Sequence, residues 1–518
     1  MNAALQFVLD EIRGVWRFRW TAMLAAWVVW MTGALARSQG ALGLMLALVV
    51  APAFAQFGPI TSQSLFFDQA SNAHHGNYLE AAAGAVYTDN VDLQRGSPGG
   101  TLAMLGLVGD TSRQGTRLDY RLGSDISLVK YLHSEFKTQP FGYLDGAAEL
   151  RIVPGLFSWT ARETYSQATL TATGPTTPDT LEAINYVTTG PRFTLRPTLR
   201  TTLIVDGTYS YVDSSSKSPL YVNIDNHRYG GDITLSRAFT NTSSAYVTGS
   251  SEKVEFTDQA ANSNFRQDQA LAGFRFAEAR TIVNLMGGYV KVHDIGHTEG
   301  SAGVVSGSQS QTPGGTTWRI DLSRLISPTQ RVSLHANEQV TDAAGVFRLN
   351  IDQPVPTAVS NRIVGGQPFT DREYGATWRL EANRTTLELD LVDVSQRYRA
   401  TPIDNSDAKD VSVLFGRQLS PVLNWDIGAT YVHADYAVAG AQDTVNAISS
   451  VRWRIGRRFG LRFIYAHSTQ SPHGYTQNQV GISASYALIP EREAGWQSGE
   501  APVLQPNAPM SSQRPPLR

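Results

Sequence analysis

The chain contains no cysteine. That absence removes disulfides, thiolate metal sites and cysteine nucleophiles together, and it suits an envelope protein that avoids stray oxidation. Charge is scarce too. Charged residues make up 17% of the 518 positions, below the roughly 25% of ordinary soluble domains. The formal net charge is −2, so no basic footprint for nucleic acid exists and no such partner is expected. Mean hydropathy is −0.20, which argues against a helical polytopic membrane protein. The chain also lacks a Gly-x-Ser-x-Gly elbow, a His-Glu-x-x-His pair and a phosphate loop, so no enzyme is expected. Ten histidines are scattered over its length. His74 and His75 are adjacent but have no spaced third ligand, and they read as surface residues. No metal or cofactor is expected.

What the chain does have is alternation. From Leu199 to Tyr211, thirteen residues, apolar and polar side chains exchange almost without error. Leu199, Thr201, Leu203, Val205, Gly207, Tyr209 and Tyr211 share one face; Arg200, Thr202, Ile204, Asp206, Thr208 and Ser210 share the other. Period 2 marks a strand with one apolar and one polar face. A tilted strand needs roughly 9–11 residues to cross a bilayer. With Asn185 to Leu195 before it, this stretch reads as a membrane hairpin turning at Arg196-Pro197. Similar segments recur from Tyr78 to Leu488. In one, Leu118, Tyr120 and Leu122 alternate with Arg117, Asp119 and Arg121; in another, Trp318, Ile320 and Leu322 alternate with Arg319, Asp321 and Ser323. The reading is all-β: a closed antiparallel transmembrane β-barrel of about 20 strands (18–20), over residues 78–489.

The connections alternate in length. Short ones include Pro154-Gly155, Arg196-Pro197, Ser327 to Thr329, Ser420-Pro421 and Gly456 to Arg458. Long ones include Ala168 to Leu181, Asp213 to Asn226, Asp294 to Gly315 and Ala343 to Asp371. Short periplasmic turns opposite long outer loops are the mark of an outer-membrane barrel, and both termini then fall in the periplasm. Trp159, Trp318, Trp378, Trp425 and Trp453 fall near strand ends, where aromatic girdles meet the lipid interface.

The ends of the chain read differently. Residues 1–30 form an N-terminal extension in which Arg13, Arg17 and Arg19 precede an apolar run from Trp20 to Ala36. Residues 31–55 have the form of a secretory signal, with an apolar core from Ala41 to Val50 and Ala53-Phe54-Ala55 before a cut between Ala55 and Gln56. Either translation starts at Met31, or the first segment is a genuine fusion. Residues 56–77 form a periplasmic lead. Residues 490–518, rich in Pro, Ser and Gln, read as a disordered periplasmic tail.

Several pieces carry a family resemblance. Tyr87-Thr88-Asp89-Asn90-Val91, Trp159 with Tyr165-Ser166-Gln167, and Thr189-Gly190-Pro191-Arg192-Phe193 together resemble the outer-membrane β-barrel family associated with the PEP-CTERM/exosortase system, in the β-barrel porin class. The stretch from Val8 to Trp20 resembles the start of polysaccharide chain-length determinant proteins. Gln479-Val-Gly481-Ile-Ser-Ala484-Ser-Tyr486 resembles the signal read by barrel-assembly machinery. The resemblance implies a component of exopolysaccharide secretion, with outer-membrane lipid, the assembly machinery, polysaccharide and periplasmic export proteins as partners.

The inward faces supply the candidate site. Its cations are Arg121, Arg200, Arg319, Arg379, Arg452 and Arg454. Its anions are Asp119, Asp206, Asp321, Glu381, Glu388, Asp390 and Asp426. These residues either line an aqueous channel, whose balanced charge disfavours strong ion selection, or form a mesh of salt bridges that fills the lumen. The rival to a channel is a non-conducting barrel that anchors periplasmic export partners.

Overall fold

The structure of the protein is a computed structural model. It describes residues 77–94, 96–132, 136–169, 181–215, 224–258, 264–294, 314–345, 367–398, 404–437, 440–472 and 474–489. The chain divides into two units, Met1–Pro52 and Ala53–Arg518, and every described residue belongs to the second. The N-terminal extension, the signal peptide with its cut at Ala55 and Gln56, His74 and His75, and the tail lie outside the described residues.

Twenty strands follow one another. The first ten are β1 (Tyr78–Thr88), β2 (Gly100–Gln114), β3 (Leu118–Leu132), β4 (Gln139–Val153), β5 (Phe157–Thr169), β6 (Leu181–Thr198), β7 (Thr201–Ser214), β8 (Asn226–Ala238), β9 (Ser243–Phe256) and β10 (Phe265–Ala277). The second ten are β11 (Thr281–Asp294), β12 (Gly314–Ser327), β13 (Gln330–Thr341), β14 (Phe369–Ala382), β15 (Thr385–Arg397), β16 (Ser406–Ser420), β17 (Leu423–Tyr436), β18 (Gly440–Ile455), β19 (Phe459–Ser471) and β20 (Thr476–Ile489). Each pairs antiparallel with the next, and β20 pairs with β1 from Leu79↔Ile489 to Thr88↔Gln479. The sheet therefore has no edge. Hydrocarbon offers backbone groups no partner, so a sheet that crosses it must close in this way.

Side-chain parity shows which face meets lipid. On β11, Leu285 and Tyr289 are exposed, while Val290 and Val292 are buried inside. The outward stretch from Thr281 to Tyr289 rises about 20 Å at about 3.4 Å per residue and a tilt of about 40°, near the band of about 25 Å that such barrels present to lipid. Exposed tyrosines (Tyr289, Tyr374, Tyr431, Tyr465) mark the loop end of that band. Trp159 and Trp453 mark the turn end. Trp318 falls at the loop end, since it pairs with Glu338 near the far end of β13. This is an outer-membrane barrel.

The connections at the turn end are all short, and both termini of the barrel lie there. At the other end the expected contrast is incomplete. The connections 437–439 and 472–475 are as short as the turns, while 342–368 between β13 and β14 is long. One turn is displaced from its expected place. Arg196-Pro197 lies inside β6, and the chain reverses at Leu199 and Arg200. The reason is local. The Thr198 hydroxyl accepts the Arg200 and Thr201 amides at 3.3 and 3.0 Å, which pins the reversal there. Pro197, with no N–H to give, sits in the irregular pairing between Leu195 and Thr198. Arg117, expected to face inward on β3, lies in the turn before it and is exposed.

The Tyr87 to Val91 stretch is the clasp of the cylinder. The Asp89 carboxylate accepts the Asn478 amide and side chain, both at 2.7 Å. Asn90 donates to the Thr476 carbonyl at 3.0 Å. Gln477 donates to the Asn90 carbonyl at 2.7 Å and the Thr88 hydroxyl at 2.9 Å. First and last strands are thus tied at their outer ends by side chains, of which Thr88, Asn90 and Gln477 are buried, as well as by the ladder. Asn90→Ala removes three side-chain bonds, two with Gln94 and one to Thr476, and it is expected to cost about 3 kcal/mol at roughly 1 kcal/mol per bond. Urea unfolding of the detergent-folded protein measures this; an unchanged midpoint contradicts the clasp.

Candidate functional site: the barrel lumen

Polar residues at every second position give the inner wall a ladder of ion pairs. Arg121 and Arg162 reach Asp145 at 2.5 and 3.4 Å, and Arg151 pairs with Asp119. Arg192 grips Asp206 with two parallel bonds of 2.6 and 3.0 Å. These two residues are directly opposed in register. Arg319 pairs with Asp321 at 2.8 Å. Arg379 meets Glu381 at 2.7 Å and Glu388 at 3.5 Å. Arg452 spans from β18 to Glu80 on β1 at 3.2 Å. Paired charges of this kind stiffen a wall, yet they are not sealed from water. The side chains of Arg121, Arg319 and Arg379 are 27–29% exposed, and their exposed surface faces the lumen.

Most of the expected lining residues lie where alternation puts them: Asp119, Arg121, Asp206, Arg319, Asp321, Arg379, Glu388, Asp390, Asp426 and Arg452 face inward. Two do not line the wall. Arg200 lies in the turn after β6 and donates to the Phe239 carbonyl of the neighbouring turn at 3.4 Å, because the reversal falls later than Arg196-Pro197. Arg454 is exposed at the turn-end rim of β18, beyond the last inward layer. Glu381 is also near that rim, with 58% of its side chain exposed.

The expected balance of charge fails locally. On β14 to β17 the inward residues include Asp371, Glu373, Glu388, Asp390, Asp410 and Asp426, against Arg379 as the one inward cation among the described residues. His335 shares this wall and bonds Glu373 at 3.0 Å. Its ring lies over Gly375, where a Cβ would sit 1.9 Å from it. The glycine is what leaves room for the imidazole.

Two sectors of the wall are not polar. Inward from β1 to β4 and β19, Ala82, Val86, Met104, Val129, Phe141 and Ile464 pack together and are buried. The second sector is made by the chain itself. Past β13 the backbone turns into the barrel. The Val340 side chain packs with Val254, Phe256, Phe265 and Val290, and its carbonyl accepts the Gln267 side chain at 3.1 Å. Ala343 and Ala344 pack on Ile184, Tyr186, Val212 and Ile224. Asp342 pairs with Arg228 of β8, and both side chains are only 4% exposed. Arg228 also lies over the Tyr186 ring, 5.7 Å from its centroid, and donates to Asn226 at 2.9 Å. Residues 340–345 therefore lie across the inner faces of β6 to β11 and narrow the lumen near its loop end. Beside them, the Tyr398 ring lies tilted against Phe369, with centroids 4.6 Å apart, and burial pushes its phenol well above the usual range.

Sequence reasoning missed Arg228, Asp342, Arg192 and Asp145. Arg192 and Asp145 obey the same alternation and were within reach of it. Arg228 and Asp342 are 114 positions apart, and no local pattern joins them. Among the described residues no group of His, Asp or Glu is arranged to hold a metal.

No protein-family model matches the chain, and no curated protein matches it. Solved structures similar to it include OccAB4 of Acinetobacter baumannii, at 11% identity and TM-score 0.35, over 80% of this chain and 99% of that one. The siderophore receptor PirA of Pseudomonas aeruginosa is similar at 8% identity and TM-score 0.43, over 80% of each chain. The ferric citrate transporter FecA is similar at 8% and 0.41, over 80% of this chain and 79% of that one. Likeness at this level carries no argument, and the barrel is established by its own closed ladder.

Removing one member of a buried ion pair costs about 3–5 kcal/mol. Asp342→Ala is therefore expected to free residues 340–345 from the wall. Ala343→Cys gives a lone thiol in this cysteine-free chain, at a position 1% exposed. Its maleimide labelling is expected to accelerate on the order of a hundredfold when Asp342→Ala is added. Equal rates in both backgrounds contradict the in-folded arrangement.

Proposed function

We propose that the protein is a water-filled channel of the outer membrane for a hydrophilic solute, without an enzymatic step. The observation that carries this reading is a contrast within one lumen. The arginine side chains of the ionic ladder toward the turn end remain 19–29% accessible to water, whereas the Arg228–Asp342 pair near the loop end, at 4%, is closed off. A salt-bridge mesh that filled the lumen would bury the ladder as thoroughly as that pair. A cylinder of this strand number is wide enough for water unless it is plugged, and residues 340–345 set its narrow place. The carboxylate-rich wall on β14 to β17 favours cations over anions in passage.

The solute is proposed to be an exopolysaccharide chain. The support is the sequence resemblance to the PEP-CTERM/exosortase-associated barrels and the supply of hydroxyl, amide and carboxylate groups along the inner wall. One observation favours the rival reading, a non-conducting barrel that anchors periplasmic export proteins. The apolar packing inside β1 to β4 and β19 resembles a filled core more than a channel wall.

Planar-bilayer recording separates the two. The channel reading expects unitary conductance steps, and a reversal potential of cation-selective sign in a salt gradient. Glu388→Gln with Asp390→Asn is expected to move that potential toward zero. A barrel that stays silent, even with the Asp342→Ala substitution, contradicts the channel and supports the anchor.

A further inference from the structure

The outer rim of the barrel carries a second site, on the lipid-facing side of β9, β10 and β11. Parity sets its orientation. Val254, Phe256, Phe265, Val290 and Val292 are the inward residues of this stretch and are buried together. Lys253, Arg266, Lys291 and His293 alternate with them and face out. In the register, Lys253 stands directly opposite Arg266, and Arg266 directly opposite His293. Like charges facing one another across a ladder repel, so Lys253 opposite Arg266 is a local cost.

The neighbouring acids offset it only in part. Glu255 holds Lys253 at 2.5 Å. Asp268 is shared by Arg266 at 2.9 Å and His293 at 3.4 Å. Arg266 uses only its Nε in these contacts, to Asp268 and the Ser251 hydroxyl. Lys291, across from Asp268, makes no ion pair among the described residues. Further round the rim the arithmetic differs. Arg372 has Glu338 at 2.7 Å, Arg397 has Asp407 at 2.7 Å, and Lys409 stands opposite Asp393. There each outward cation has its own acid.

Height identifies the occupant. Lys291 follows Tyr289, the exposed tyrosine at the loop end of the apolar band. Below the row lie exposed Val247, Phe274 and Leu285. A ligand seated here has acyl chains against those side chains and anionic oxygens at the level of the row. We propose that this face binds the phosphorylated headgroup of an outer-leaflet lipid, with the Arg266 Nη groups, Lys253 and Lys291 donating to phosphate and His293 closing the row. A phosphate presents several acceptor oxygens, which bridge the facing Lys253 and Arg266 and relieve their repulsion. The contact is exposed and ionic, so it weakens with salt.

The test uses the full chain in detergent and native mass spectrometry with bis-phosphorylated lipid A as the probe. Lys253→Gln, Arg266→Gln and Lys291→Gln together are expected to weaken retention of the lipid at least tenfold, whereas Arg372→Gln with Arg397→Gln leaves it unchanged. Lipid A stripped of its phosphates is expected to bind the parent and the triple variant alike. Heat-dependent gel mobility reports that each variant is folded. Should the triple variant misfold, Lys291→Gln alone, which breaks no ion pair, is expected to weaken retention about threefold. Undiminished retention by the folded variant overturns the proposal. So does equal binding of phosphate-free lipid A to the parent, or displacement of the lipid by millimolar inorganic phosphate, which marks a free-anion site.

Discussion

The whole structure depends on one constraint: within hydrocarbon, every backbone N–H and C=O must find a partner in the chain itself. A β-sheet satisfies that only when its last strand returns to its first. The pairing of β1 with β20 does this here, and the Asp89, Asn90, Asn478 and Gln477 contacts secure its outer end. Once the cylinder is closed, strict alternation distributes chemistry without further instruction. One parity meets lipid and is apolar; the other meets the lumen and carries the arginine–carboxylate ladder.

The lumen departs from a plain polar tube in two ways. The segment after β13 leaves the wall and is held across the barrel by one buried ion pair. A buried pair is costly to break from one side, so it acts as a positional lock more than as a source of net stability. The second departure is electrostatic. Carboxylates gather on β14 to β17, while the arginines that balance them in the total are distributed over other strands, including β4 to β6 and β18. A net charge near zero conceals that separation.

The strands and their count were legible because period 2 is a local signal that survives in a single sequence. The position of a turn is less so. Arg196-Pro197 has turn chemistry, but the Thr198 hydroxyl captures the amides that follow, and Arg200 leaves the lumen with that shift. The in-folded segment was not legible at all. Asp342 and Arg228 look like any surface acid and base until the barrel brings β13 and β8 face to face. The apolar inner sector did leave a trace. Thr101 to Val108 is apolar at nearly every position, and a strand greasy on both faces is covered on both. Leu102 and Met104 are indeed buried inside, while Leu105 and Leu107 are exposed outside.

Closure itself can be measured directly, and the absence of native thiols makes the measurement clean. Ala83 on β1 and Ala484 on β20 are direct partners. With Ala83→Cys and Ala484→Cys introduced together, mild oxidation of the protein folded in lipid should link the two ends of the barrel within one chain, seen as a reducible shift in gel mobility that neither single substitution shows. A failure of the pair to cross-link in folded protein would mean that the first and last strands are not neighbours, and the cylinder would not stand.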